Sequence, residues 1–177
     1  MDCNPELIAA AQNNTANLGF SDRFVLHTGE LADTRFLENL RMEASPVQLV
    51  MANPPWRLVG SGRLPATEAR RKALFGDKGT FPLFASAASS LLEEDGRFVC
   101  IISPDRLQDM LAALDGAGLT PYLLQYIHKQ KTSPATFVLI EARKGAHAKP
   151  SVAEPIALYG QERFFTLESL AFCPFLR

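Results

Sequence analysis

The apolar positions of this chain follow two rhythms that alternate along it. Unbroken apolar runs, as in Val47–Ala52 and Arg97–Ser103, predict strands buried on both faces. Stretches in which Leu, Ile, Ala and Phe return every three or four residues predict helices. Asn4 suits an N-cap and Pro5 a first helical residue. They open a helix with Leu7, Ile8, Ala11 and Leu18 near one face, ending around Gly19. Arg23 to Thr28 predicts a short strand, broken by Gly29-Glu30, and a second helix follows from about Asp33 to Met42. The strand Val47–Ala52 stops at Asn53-Pro54-Pro55-Trp56, because proline has no amide hydrogen to give a ladder.

Residues 57–80 are rich in Gly, Arg and Lys with no steady period and predict a long loop. Phe81 to Leu92 predicts a helix with Gly96 as its cap, followed by the strand Arg97–Ser103 and a helix from Pro104 to about Leu114. Leu119 to His128 and Ala135 to Arg143 predict two strands joined by the polar turn Lys129 to Pro134. The tail, 145–177, holds an apolar piece at Pro155 to Tyr159 and a helix at Leu167 to Phe172. Strands alternating with helices predict a mainly parallel α/β sheet covered on both faces, and the final pair predicts an antiparallel finish.

Composition narrows the class. The 177 residues suit about one domain, 1–177, and 47% apolar against 21% charged residues predicts a globular chain. No apolar run approaches the roughly 20 residues of a membrane helix, and no leader precedes the first helix, so a cytoplasmic protein is expected. Cys3, Cys100 and Cys173 are far apart, as are His27, His128 and His147, so neither disulfides nor a metal site is expected.

Asn53-Pro54-Pro55-Trp56 carries the chemistry. Open α/β sheets bind ligands outside the carboxyl ends of their strands. An exocyclic amine on adenine is a weak nucleophile, because its lone pair is delocalised into the ring. An enzyme that methylates it must hold both N–H bonds and aim the lone pair at an electrophilic methyl group. The Asn53 side-chain oxygen can accept one N–H and the Pro54 carbonyl the other. Pro54 and Pro55 fix the backbone in advance, and Trp56 offers a ring for the base to stack on. This is positioning chemistry that needs no metal.

Asn-Pro-Pro followed by an aromatic residue resembles the motif of S-adenosylmethionine-dependent amino-group methyltransferases. Four stretches are similar to one branch, the bacterial tRNA-valine adenine-N6 methyltransferases. They are Asp2-Cys3-Asn4-Pro5-Glu6 with Ala10, Asn14 and Asn17; Gly29-Glu30-Leu31; Asn53-Pro54-Pro55-Trp56 with Ala69-Arg70-Arg71; and Gly96-Arg97-Phe98 through Glu141–Gly145 to Pro155–Tyr159. The resemblance implies a Rossmann-like class I methyltransferase fold and S-adenosyl-L-methionine as cofactor. It implies tRNA as partner and the catalytic set Asn53, Pro54, Pro55 and Trp56. Asp2, with Cys3 beside it, would hold the cofactor ribose. Glu30 would accept from the cofactor adenine amine with the Leu31 amide facing the ring, and Asn53 would complete the cofactor site. The family more often has Asp at the Glu30 position and Tyr or Phe at the Trp56 position.

Charge adds the nucleic-acid question. The net −1 of the chain hides a split. Residues 1–46 carry seven acids and three bases, net −4, whereas residues 57–80 carry six bases and two acids, net +4. The six bases Arg57, Arg63, Arg70, Arg71, Lys72 and Lys78 begin directly after the motif, where RNA phosphates would run past a flipped base. Lys129, Lys131, Arg143, Lys144 and Lys149 could extend that patch.

The glycine-rich turn that precedes the ribose acid in such folds has no place before Asp2. The expected sheet therefore lacks its first strand and glycine loop, as in an N-terminally incomplete methyltransferase. Three hypotheses remain at this point: a tRNA adenine-N6 methyltransferase, an RNA-binding fragment that does not bind cofactor, or a related methyltransferase acting on protein glutamine or another base.

Overall fold

A computed structural model describes residues 1–44, 46–58, 67–145, 149–160 and 164–173, and the chain divides into two units, Met1–Ala44 and Ser45–Arg177. In the first unit, α1 spans Pro5–Asn17 and α2 spans Thr34–Ala44. Asn4 caps α1 as its sequence predicts, its side chain accepting from the Glu6 amide at 2.9 Å, with Pro5 in the first turn. Asp33 does the same for α2, accepting from the amides of Arg35 and Phe36. The Phe36 ring packs where a Cβ on Gly29 would stand, so only glycine fits there.

The strand expected over Arg23–Thr28 does not form. A 3₁₀ turn occupies Ser21–Arg23, and Phe24 continues extended. Thr28 alone pairs, in a parallel bridge with Asp2. Two backbone bonds tie that bridge, Asp2 N–H to the His27 carbonyl and Gly29 N–H to the Asp2 carbonyl, each 3.2 Å. A β-prone run becomes a strand only when a neighbour takes its ladder. Among the described residues nothing does so for Phe24 and Val25, and both are exposed.

The second unit contains β1 (Val47–Ala52), β2 (Arg57–Leu58), α3 (Glu68–Leu74), β3 (Phe75–Gly76), α4 (Thr80–Leu91) and β4 (Leu92–Ile102). They are followed by α5 (Leu107–Gly116), β5 (Leu119–His128), β6 (Ala135–Lys144), β7 (Ser151–Val152), β8 (Ile156–Ala157) and α6 (Leu167–Phe172). The sheet runs β1-β4-β6-β5-β7, with β8 also beside β5. β1 and β4 are parallel, β7 and β8 run parallel to β5, and β6 runs against both β4 and β5. The expected mainly parallel sheet with one antiparallel late strand is therefore present. The antiparallel strand is not at the edge but wedged between β4 and β5.

Alternation builds the core. Phe98, Cys100 and Ile102 on β4 point the same way as Val138, Ile140 and Ala142 on β6, with Cys100 level with Ile140. Phe81, Ala85 and Ala88 of α4 and Met110, Ala113 and Leu114 of α5 close over them. The sequence pattern predicted helices on both faces. Within this unit α4 and α5 pack together on one face, while Val99, Ile101 and Leu139 on the other face are half-buried.

Three boundaries differ from expectation. β4 starts at Leu92, and Gly96 lies inside it instead of capping α4. The end of α4 is met by the Lys144 ammonium, which donates to the carbonyls of Ser89 and Leu92 at 2.9 and 2.8 Å. The predicted loop over residues 57–80 contains α3 and the parallel pair β2–β3. Glu-Ala-Arg-Arg-Lys-Ala-Leu is made of strong helix formers, and Thr67 caps it by accepting from the Arg70 amide. The tail is pinned to β8 by α6. The buried Ser169 hydroxyl reaches the Leu158 carbonyl at 3.0 Å, and the Thr166 hydroxyl reaches that of Ala157 at 2.6 Å. No helix among the described residues is long and apolar enough to cross a membrane.

Two outcomes follow from this packing. Phe98→Ala removes a fully buried ring and should cost about 3–5 kcal/mol in urea unfolding; a loss below about 1 kcal/mol would contradict the core described. Burial pushes the Cys100 thiol from 9.0 up to about 12. The folded chain keeps that proton where the unfolded chain releases it, so this contribution to stability is full below pH 9 and is lost as pH rises toward 12. Cys100→Ala should flatten the fall in stability over that interval, measured by urea titration at successive pH values.

Candidate functional site

Because β1 and β4 are parallel, both strands deliver their carboxyl ends to one edge of the sheet. Ala52 is level with Cys100, so Asn53 leaves β1 as β4 approaches Ile102. The antiparallel β6 begins at the same edge, with Val138 level with Ile102. Three segments thus meet there: 53–56, 103–106 and 135–137.

Each residue of Asn53-Pro54-Pro55-Trp56 has a distinct environment. Asn53 is exposed, and no side chain among the described residues engages its amide. Pro54 is fully buried, so packing as well as its ring fixes the backbone at the motif. Pro55 is half-buried, and its carbonyl faces Gly76 on β3. A Cβ on Gly76 would stand 2.6 Å from that oxygen, closer than packing permits. Trp56 is half-buried and meets the edge of Phe137 on β6, with ring centroids 6.1 Å apart and planes at 75°. Its backbone carbonyl accepts from the Arg106 guanidinium at 2.8 Å.

The bases assigned to RNA divide into separate groups. The Arg57 guanidinium lies over the Trp56 ring, 5.3 Å from its centroid. A flat ligand stacked on that face must displace it or use the other face. Arg70, Arg71 and Lys72 are exposed on α3, and Lys78 is exposed in the turn before α4. Arg63 lies outside the described residues. Of the bases named as extensions of the patch, Lys129, Lys131 and Lys149 are exposed. Arg143 stacks on Tyr122 at 3.6 Å and pairs with Glu141, and Lys144 is used at the end of α4. These two are occupied within the fold instead of extending the patch.

The residues assigned to cofactor fall in the first unit. The Asp2–Thr28 bridge and the bond from the Gly29 amide place Asp2 and Glu30 on neighbouring extended segments. Asp2 is half-buried, and its Oδ1 accepts from the Asn4 amide at 2.8 Å. Cys3 and Glu30 are exposed and Leu31 is half-buried. The structure thus brings Asp2, Cys3, Glu30 and Leu31 together in one unit, and Asn53 to Trp56 together in the other. No group of three or more His, Cys, Asp or Glu among the described residues could hold a metal.

Three residues at the motif escaped the sequence: Gly76, Arg106 and Phe137. The available signal was positional for two of them, since Arg106 closely follows a strand that runs beside β1 and Phe137 opens the strand that runs against it.

No protein-family model matches the chain. Nor does any curated protein match it. Solved structures do match. One is a predicted O-methyltransferase from Agrobacterium tumefaciens, 20% identical, with a TM-score of 0.69 over 98% of this chain and 73% of that one. Another is an O-methyltransferase family 2 protein from Planctomyces limnophilus, solved with apigenin, 17% identical, with a TM-score of 0.51. That match covers 81% of this chain but only 41% of the Planctomyces protein. At such identities the likeness is one of fold, and the chain has the Rossmann-like α/β fold found in these two proteins.

Proposed function

We propose that this chain is an S-adenosylmethionine-dependent adenine-N6 methyltransferase acting on tRNA. The observation that carries the reading is the motif at the carboxyl end of β1. An exposed Asn53 amide, which no side chain among the described residues engages, stands beside a fully buried Pro54, with a half-buried tryptophan two residues on. The fold supports it, and so does the resemblance of the motif to the tRNA-valine branch.

The residues in the first unit suit the cofactor by their chemistry. Asp2 and Glu30 are acceptors on adjacent segments, and one Asp2 oxygen is already oriented by the Asn4 amide. A carboxylate accepts from a ribose diol, and a second one from an exocyclic amine. S-adenosylmethionine, when bound, supplies the electrophilic methyl group.

This chain's own residues do the positioning. The Asn53 side-chain oxygen accepts one N–H of the target amine and the Pro54 carbonyl accepts the other. Both bonds turn the nitrogen lone pair out of conjugation and strengthen as positive charge develops on it. Trp56 holds the ring plane by stacking, with Phe137 edge-on behind it. The basic face of α3 binds phosphates of the RNA.

Asn53→Ala should lower methyl transfer from labelled S-adenosylmethionine to tRNA by about 10²–10³-fold. Undiminished transfer would exclude the role given to Asn53. Measured by RNA binding at several salt concentrations, each of Arg70→Gln, Arg71→Gln and Lys72→Gln should reduce the salt slope by about 1 without changing sequence preference. Slopes equal to that of the unaltered protein would remove α3 from the RNA contact.

A further inference from the structure

Arg106 is the one buried cation among the described residues of this unit. The residue is 3% exposed, yet it carries a guanidinium, and desolvating a charge is costly unless every part of it is met. Each part is met. Its Nε donates to Asp109 Oδ2 at 2.7 Å, one turn along the chain. A terminal nitrogen donates to the Trp56 carbonyl at 2.8 Å, fifty residues away in sequence. The guanidinium carbon lies over the Phe81 ring, 4.4 Å from its centroid.

The three contacts have different consequences. Phe81 belongs to α4 and Asp109 to α5, two helices that pack on one another. Trp56 belongs to neither. Its segment follows two prolines and leads into a two-residue strand, so its own ladder is short. The bond from Arg106 joins the residue that ends the motif to the helical layer of the core. Substitution by lysine keeps the charge but not the fork. A lysine ammonium is one compact nitrogen and cannot at once replace the donor to Asp109, the donor to Trp56 and the carbon over Phe81.

We infer that Arg106 is a positioning residue, which fixes the Trp56 backbone and thereby the plane on which a base stacks. The inference rests on the proposed function for its meaning, but its physical content can be read without substrate. Trp56 is the only tryptophan of the chain, so its fluorescence reports this one site.

The test uses the full chain and two kinds of readout. Acrylamide quenching of Trp56 measures how firmly the ring is held. It should rise about twofold or more in Arg106→Lys, with far-ultraviolet dichroism unchanged. Asp109→Asn retains the Arg106 fork and should raise it less. Lys144→Met removes the contacts at the end of α4. It should lower thermal stability without moving Trp56 quenching, which separates positioning from general loosening. Adenosine monophosphate, titrated against the same emission, then reads the stacking plane. Its binding should weaken roughly tenfold in Arg106→Lys, as loss of a bond from a charged donor implies.

Acrylamide quenching equal to the wild type in Arg106→Lys would overturn the inference, and so would an equal rise in Lys144→Met. If the nucleotide fails to quench the wild type while acrylamide quenching responds as expected, Arg106 still positions Trp56. The adenine reading of the site then fails on its own.

Discussion

Parallel strands cannot be joined by a tight turn, so a chain that pairs β1 with β4 must carry itself back along the sheet between them. That obligatory return holds Asn53-Pro54-Pro55-Trp56, the basic helix α3 and the core helix α4. The pairing also decides where the motif stands, since the strand after the return ends at the same edge. Phe137 reaches the motif because β6 runs against β4, and Arg106 because a short 3₁₀ turn follows β4. A one-residue slip between β1 and β4 would turn Phe98, Cys100 and Ile102 away from α4 and α5. The core alternation therefore protects the register, and the register places the site.

Legibility in the sequence followed the range of the forces involved. The strands at Phe98–Ile102 and Val138–Ala142, and the Asn4 cap with Pro5, were readable because neighbours within a few residues determine them, whereas the one-faced burial of those strands depends on where the helices pack. The motif was readable because two prolines after an apolar run have few other uses. Arg23–Thr28 was misread because a strand needs a partner as well as a composition. The helix α3 was missed because its charged residues hide no apolar stripe, although Thr67 and the helix formers after it were a local signal. Arg106 could not be identified from spacing, because its partner lies fifty residues away and the two meet only after β1 and β4 have paired.

The site also shows how a mostly apolar unit accommodates polar groups. Pro54 and Gly76 shape the motif by what they lack, an amide hydrogen and a side chain. Arg106 does so by what it supplies, donors directed along fixed lines. The Pro54 carbonyl proposed as an acceptor for the amine is thus set by backbone that cannot easily relax, which suits a reaction whose barrier is mainly one of orientation. The exposed bases on α3 have no such constraint, as would befit the phosphate contacts proposed for them, which carry no sequence information.

The wedged position of β6 has a consequence for how the chain comes into being. β4 and β5 are made before β6, yet in the sheet β6 stands between them and they do not pair with each other. On a ribosome both strands would wait with open edges until Lys144 had been synthesised. The β5–β6 hairpin is local and can form first. It would then dock as a pair against β4, so that closure of the sheet is a single late event instead of a strand-by-strand growth. Until that moment Phe98, Cys100 and Ile102 have only the helices to cover them, and this is the interval in which the protein most needs protection from pairing with another copy of itself.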